Sequence, residues 1–190
     1  ISVEWFEAKL NSTIKILEDH FSKYRISDAL MLTYKLIWDD FCSWYLEMVK
    51  PVYQKPIDKT TLEETVAFFE KIMKILHPFM PFITEEIWHL LEDRKEDDCI
   101  IISKMPEVGK IDKTILNQFE FAKDVIIAIR NFRKEKNIPN KEKLERFIKK
   151  NNDEKPDTTF DSLVSKLCNL SKIDYTDEKY VDKKLFLIKL

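Results

Sequence analysis

Glycine is nearly absent from this 190-residue chain, with Gly109 the single example, where average usage would give roughly 13. Phosphate-cradling loops and dinucleotide fingerprints need glycines so that the backbone can approach the ligand closely. No nucleotide-dependent catalytic domain is therefore expected within these residues. Cysteine is scarce too. Cys42, Cys99 and Cys168 are odd in number and far apart, which fits neither a disulfide framework nor a metal-ligand pair. His20, His77 and His89 sit near no cysteine in the sequence, so no metal site is expected. No carboxylate pair, Ser-His-Asp set or Cys-His pair stands out, and no catalytic residue is expected. No run approaches the roughly 20 apolar residues of a membrane span. The N-terminus also lacks a basic-then-apolar signal. A cytosolic monomer with no membrane partner is the expectation.

What is present is apolar mass and charge. A 44% hydrophobic share supports a real core, within one large domain or one domain with a small appendage. Residues 1–129 hold 16 basic and 23 acidic side chains, whereas residues 130–150 hold nine basic against three acidic. An acidic body with one basic segment points to a localised polyanion contact. The alternative is a solvated helix end whose cations complement the helix dipole. Charge alone does not choose between them.

The apolar spacing predicts helices. Val3, Phe6, Leu10, Ile14, Leu17 and Phe21 recur at three- and four-residue steps. Ser27 is placed to cap a second helix over 28–49. That helix is apolar on most sides, with a narrow polar stripe at Lys35, Asp39, Ser43 and Glu47. It is expected in the middle of a bundle, ending at Lys50-Pro51. Thr61 and Glu64 form a capping box for a third helix, with Leu62, Val66, Phe69, Met73 and Leu76 inward. "HPFMPFITEEIW", residues 77–88, then makes a double-proline corner. Pro78 ends one helix and Pro81 presets the next. Phe79, Met80 and Phe82 are expected to plug the junction, and the fourth helix is expected to start around Thr84. "EDRKEDD" is expected as an exposed acidic loop, and residues 99–102 as a strand or strap. Asp112 caps a fifth helix with Ile115, Phe119, Ala122, Ile126 and Ile129 on one face. After "NIPN", the stretches "KLERFIKK", "SKIDYT" and "KYVDKKLFLIKL" read as strands, with one helix over 158–170. The expected fold is mainly α: a bundle of about five helices over 1–140, followed by a small α/β subdomain over 141–190.

The corner closely resembles that of the helical anticodon-binding domain of class I aminoacyl-tRNA synthetases of the valine, isoleucine and leucine group. "ISDALMLTYKLIWDDFCSWYLEMVKP", residues 26–51, is similar to the valyl branch, since isoleucyl members more often carry aspartate where Glu47 stands. "AIRNFRKEKNIPNKEKL", residues 128–144, resembles the arginine-containing helix of the same branch. The likeness covers most of residues 1–150 and is less specific over the last 40. Many relatives carry Phe where Ile26 stands. The resemblance implies a fragment of a larger synthetase, with a catalytic Rossmann domain upstream and a basic coiled coil downstream, neither within this chain. ATP, with Mg, would belong to that catalytic domain. The implied partners are tRNA for valine, through anticodon loop and stem, and the parent's own catalytic domain. The alternatives are a helical scaffold domain without RNA binding, or the equivalent domain of an isoleucyl enzyme.

Candidate RNA contacts follow from charge and resemblance together. Arg130, Asn131, Arg133, Lys134, Lys136, Asn137 and Lys141 cluster at the fifth helix end. Cations there would neutralise phosphates, while amides and arginines would read or stack on unpaired bases. Lys23 and Arg25, before the second helix, form a further pair. Lys50 is either half of an ion pair with Glu47 or an RNA contact. Trp38, Trp44 and Tyr45 are either core residues or a base-stacking platform. His77 is expected as a capping or core residue.

Overall fold

The computed structural model describes residues 1–95, 97–149 and 158–176. It is mainly helical and comprises two compact units, Ile1–Lys113 and Thr114–Leu190. The predicted strand within 179–190 lies outside the described residues.

The first unit is built on α1 (Ser2–Ser22). The second helix, α2, runs without a break over 26–49: an α segment Ile26–Lys35, a π segment Leu36–Tyr45 and a closing α turn Leu46–Val49. Its start is not capped by Ser27. Arg25 is the N-cap residue, no side chain bonds there, and Tyr24 before it takes φ 56° to turn the chain. In the π segment hydrogen bonds reach five residues back, and Ser43 Oγ follows suit by donating to the Trp38 carbonyl at 2.8 Å. The four-residue polar stripe Lys35, Asp39, Ser43 and Glu47 is exposed throughout.

Helix α3 (Lys59–Leu76) starts earlier than its sequence implies. Asp58, not Thr61, is the cap: its Oδ1 accepts the Thr61 amide at 2.8 Å, and that bond holds the carboxyl below its ordinary range. The inward stripe differs as well. Phe68, Ile72, Met73 and Ile75 are buried while Leu62 and Val66 are exposed. Both stripes are apolar at helical spacing, so only the partner surface decides. That surface is aromatic: the Phe6 ring lies 4.7 Å from Tyr45, 5.2 Å from Phe68 and 5.3 Å from Phe41. One ring thus joins α1, α2 and α3, and a hydrogen bond from Tyr45 to Thr65 at 2.8 Å satisfies the one polar atom Tyr45 brings.

Helix α4 (Pro81–Leu91) begins at the second proline, where a missing amide costs nothing. Thr84 is inside it, fully buried, with Oγ1 donating to the Met80 carbonyl at 2.8 Å and meeting His77 Nδ1 at 2.7 Å. His77 is thus a corner tie. Phe79 stacks on Phe21 at 6.1 Å. Phe82 does not plug the junction, being 92% exposed, and Met80 is exposed too. The acidic loop beyond is pinned by a residue that the sequence did not single out. Arg94 pairs with Glu70 at 2.6 Å and lies 3.7 Å over the Trp88 ring. A 3-10 turn, Ile100–Ile102, follows as a strap with Ile100 buried.

The single glycine meets a packing need. A Cβ on Gly109 would lie 2.9 Å from Asn11 Nδ2. Asn11 is buried and bonds both the Gly109 amide and the Lys110 carbonyl, each at 3.1 Å. Gly109→Ala is expected to break that pair and lower stability by about 1–3 kcal/mol, the range for a buried polar group left unpaired. Thermal melting checks it. Among the described residues, Tyr24, Gln54, Asn137 and Asn169 take positive φ and do the turning that glycine does elsewhere.

The second unit holds α5 (Lys113–Glu135), β1 (Leu144–Lys149), α6 (Asp161–Cys168) and β2 (Leu170–Thr176). Helix α5 opens directly after Asp112 and buries the predicted face Ile115, Phe119, Ala122, Ile126 and Ile129. The strands pair in parallel, with Leu144 opposite Leu170, and α6 lies between them in the chain, a βαβ arrangement. Phe160 packs edge-on against Phe119 at 5.4 Å.

Candidate nucleic-acid interface

The basic segment begins in the last turns of α5. Its exit is a Schellman turn. Ile138 donates to the Arg133 carbonyl at 2.8 Å, Asn137 donates to the Lys134 carbonyl at 3.2 Å, and Asn137 takes φ 53°. Asparagine tolerates the left-handed region better than most residues, and Asn169 does the same after α6 with φ 50°.

These turns place Arg130, Asn131, Lys134, Lys136, Asn137 and Lys141 on the surface. A cleft of about 460 Å³ opens there, lined by Arg130, Arg133 and Lys134 from α5, Asn140 from the turn, and Lys166 and Asn169 from the end of α6. The last three were not predicted, and Lys166 and Asn169 reach the helix end only through the βαβ return. Asn169 Nδ2 holds the turn by donating to the Asn140 and Lys141 carbonyls at 2.9 and 3.2 Å.

Arg133 stands apart from its neighbours. It is 4% exposed. Its Nη1 donates to the Pro139 carbonyl at 3.1 Å, and Nη2 to Glu142 and Cys168 carbonyls at 2.9 and 2.8 Å. The planar guanidinium fork is what lets one side chain reach several acceptors. Arg133 therefore brackets the helix end, the following loop and the end of α6. A signal for this was present: position 133 continues the buried stripe of 115, 119, 122, 126 and 129 at three- and four-residue steps.

The other candidates lie in the first unit. Lys23 and Arg25 precede α2, while Lys50 follows it, so roughly 35 Å of helix separates them. Lys23 pairs with Asp19 at 2.6 Å, and its hydrogen bond holds the Asp19 carboxyl below its ordinary range. Lys50 pairs with Glu47 at 3.3 Å on an exposed surface. Trp44 and Tyr45 are core residues, but Trp38 is 60% exposed. Its ring stacks on the exposed Tyr34 ring, with centroids 6.4 Å apart and planes within 13°. Ile26 is exposed at the first position of α2.

Residues 3–148 match the family model described as the anticodon-binding domain of tRNA ligase. The valine–tRNA ligase of Parabacteroides distasonis is 48% identical over 189 residues, which is 100% of this chain and 21% of that protein. The Christiangramia forsetii valine–tRNA ligase is 47% identical over 175 residues, covering 92% of this chain and 20% of that protein. The Bacillus licheniformis valine–tRNA ligase is 35% identical over 193 residues, covering 97% and 22%. The chain thus spans about a fifth of the length of the curated relatives it matches. Among the described residues no helix is long and apolar enough to cross a membrane. With the family match extending from α1 into β1, this chain belongs to the anticodon-binding domain family of tRNA ligases.

Proposed function

We propose that this chain is the tRNA-binding, anticodon-recognising domain of a valine–tRNA ligase. A catalytic domain elsewhere in the protein uses ATP, with magnesium, to charge tRNA with valine, and this domain holds the tRNA for it. Likeness along nearly the whole chain to valine–tRNA ligases favours the valyl over the isoleucyl reading. We propose residues 1–140 as the helical part, whose last helix α5 packs within the second compact unit, and residues 141–190 as the α/β part, in a cytoplasmic, monomeric protein.

The observation that carries the RNA contact is the group of surface cations around the cleft at the end of α5. Arg130, Lys134, Lys136, Lys141 and Lys166 neutralise phosphates, giving affinity that falls with salt. Asn131 and Asn137 hydrogen-bond to the RNA beside them, and Arg133 holds the turn that positions these groups. In the first unit, the exposed Tyr34–Trp38 pair offers a face for unpaired bases. Lys23, Arg25 and Lys50 make further backbone contacts.

The test is binding of the chain to valine tRNA and to the same tRNA with its anticodon exchanged, over a salt series. Tighter binding of the valine anticodon, with log affinity falling linearly against log salt, is expected. Weak binding of both, without salt dependence, would leave a helical scaffold domain in its place.

A further inference from the structure

Away from these contacts, Glu85, His89 and Cys99 meet in the first unit. Glu85 and His89 are one turn apart on α4, on the same face, and Cys99 returns to that face at the end of the acidic loop. A carboxylate oxygen, an imidazole nitrogen and the Cys99 Sγ lie within 4.8 Å of one another. Glu85 Oε1 is 3.3 Å from His89 Nε2 and accepts the Ile100 amide at 3.1 Å. All three residues are half-buried. We propose that they form a binding site for a zinc-class divalent ion, with its fourth position open to water.

The donor set carries the choice of ion. Imidazole, thiolate and carboxylate are the zinc ligand classes, whereas magnesium and calcium take oxygen alone. Bond lengths of about 2.0–2.3 Å in a tetrahedron put ligand atoms roughly 3.3–3.8 Å apart. Glu85 and His89 already stand at that spacing, 3.3 Å, and the Cys99 Sγ lies within 4.8 Å of both ligand atoms. Binding turns the Cys99 thiol into a thiolate, releases its proton to solvent and forms the metal–sulfur bond. The thiolate and the Glu85 carboxylate then balance the ion's two positive charges. Three further features build the site. The Ile100 amide orients the Glu85 carboxylate, as outer-shell donors orient metal ligands elsewhere. Trp88 Nε1 donates to the Asp98 carbonyl at 3.1 Å, which fixes the loop next to Cys99. Asp97 and Asp98 directly precede Cys99 and add negative charge to that end of the loop. The bound ion would staple the acidic loop to α4, independently of RNA.

Sequence spacing hides this site, because His89 and Cys99 are ten residues apart with a loop between them. The experiment is a cobalt(II) titration of the whole chain, reduced without added thiol. A near-ultraviolet thiolate-to-cobalt charge-transfer band and visible tetrahedral bands are expected, and zinc should displace both. Cys99→Ser should abolish the charge-transfer band, His89→Gln should weaken cobalt binding at least about tenfold, and Cys42→Ser should change neither. Zinc should also raise the melting temperature of the wild type by mass action, and not that of Cys99→Ser. A titration without a thiolate band, or a band that persists in Cys99→Ser, overturns the proposal and leaves the trio a hydrogen-bonded tie.

Discussion

Arg133→Met is expected to destabilise the second unit by about 3 kcal/mol or more, because it removes several hydrogen bonds from a charged donor, each worth about 1.5–3 kcal/mol. Methionine fills much of the volume but donates nothing. The buried Cys168 carbonyl loses its donor, which costs about 1–3 kcal/mol, while the Pro139 and Glu142 carbonyls keep the Glu142 amide and Asn169 Nδ2. Replacing a whole buried polar cluster by apolar groups is often tolerated, but here the acceptors are backbone and cannot be removed. Arg133→Lys should rescue only a small part, because one ammonium cannot span acceptors that the guanidinium fork reaches in different directions. Hydrogen exchange should show early opening of α5 and β2, with the amides of α1 to α4 still protected. Wild-type melting of Arg133→Met would instead make Arg133 a surface residue like its neighbours.

Reversing Arg130, Lys134 and Lys136 to glutamate is expected to have the opposite profile. All three are exposed, and the buried stripe from Ile115 to Arg133 is untouched. The fold loses helix-dipole complementarity, roughly 0.3–1 kcal/mol per site at most. Binding of valine tRNA should weaken by about a hundredfold at moderate salt. The slope of log affinity against log salt should flatten by about 0.7–0.9 for each phosphate that is no longer neutralised. Within the complete enzyme, charging should fall through weaker tRNA affinity, with valine activation spared. Unchanged affinity and an unchanged slope would reduce these cations to a solvated helix end. The two variants together separate a residue that builds the surface from residues that use it.

The helices themselves were legible in the sequence, because their signals are local. Three- and four-residue apolar steps placed α1 and α5 and the inward stripe of α5. Lys50-Pro51 and His77-Pro78 marked where helices end, since proline cannot continue one. Strands β1 and β2 and the helix between them were also readable from period and length. The last steps of α5 show how thin the margin is: the same periodicity reaches Arg133, but a charge at that position read as surface. Helix α3 was ambiguous for a different reason. Leu62, Val66 and Phe69 make as good a stripe as Phe68, Ile72 and Ile75, and only the rings of Phe6 and Tyr45 on other helices select the second. The same holds at the corner, where Phe82 is apolar yet faces solvent, and on α2, where Trp38 and Trp44 differ in nothing local but end on opposite sides of the surface. Lys166 and Asn169 join Arg130 because β1, α6 and β2 bring residues about 36 positions apart to one cleft. Glu85, His89 and Cys99 meet only because the loop anchored by Arg94 and Trp88 folds back on α4. Periodicity and capping act over one or two turns and so determined the elements. Which faces are buried, and which side chains share a site, depends on contacts between residues far apart in the chain, and only the packed structure decided those.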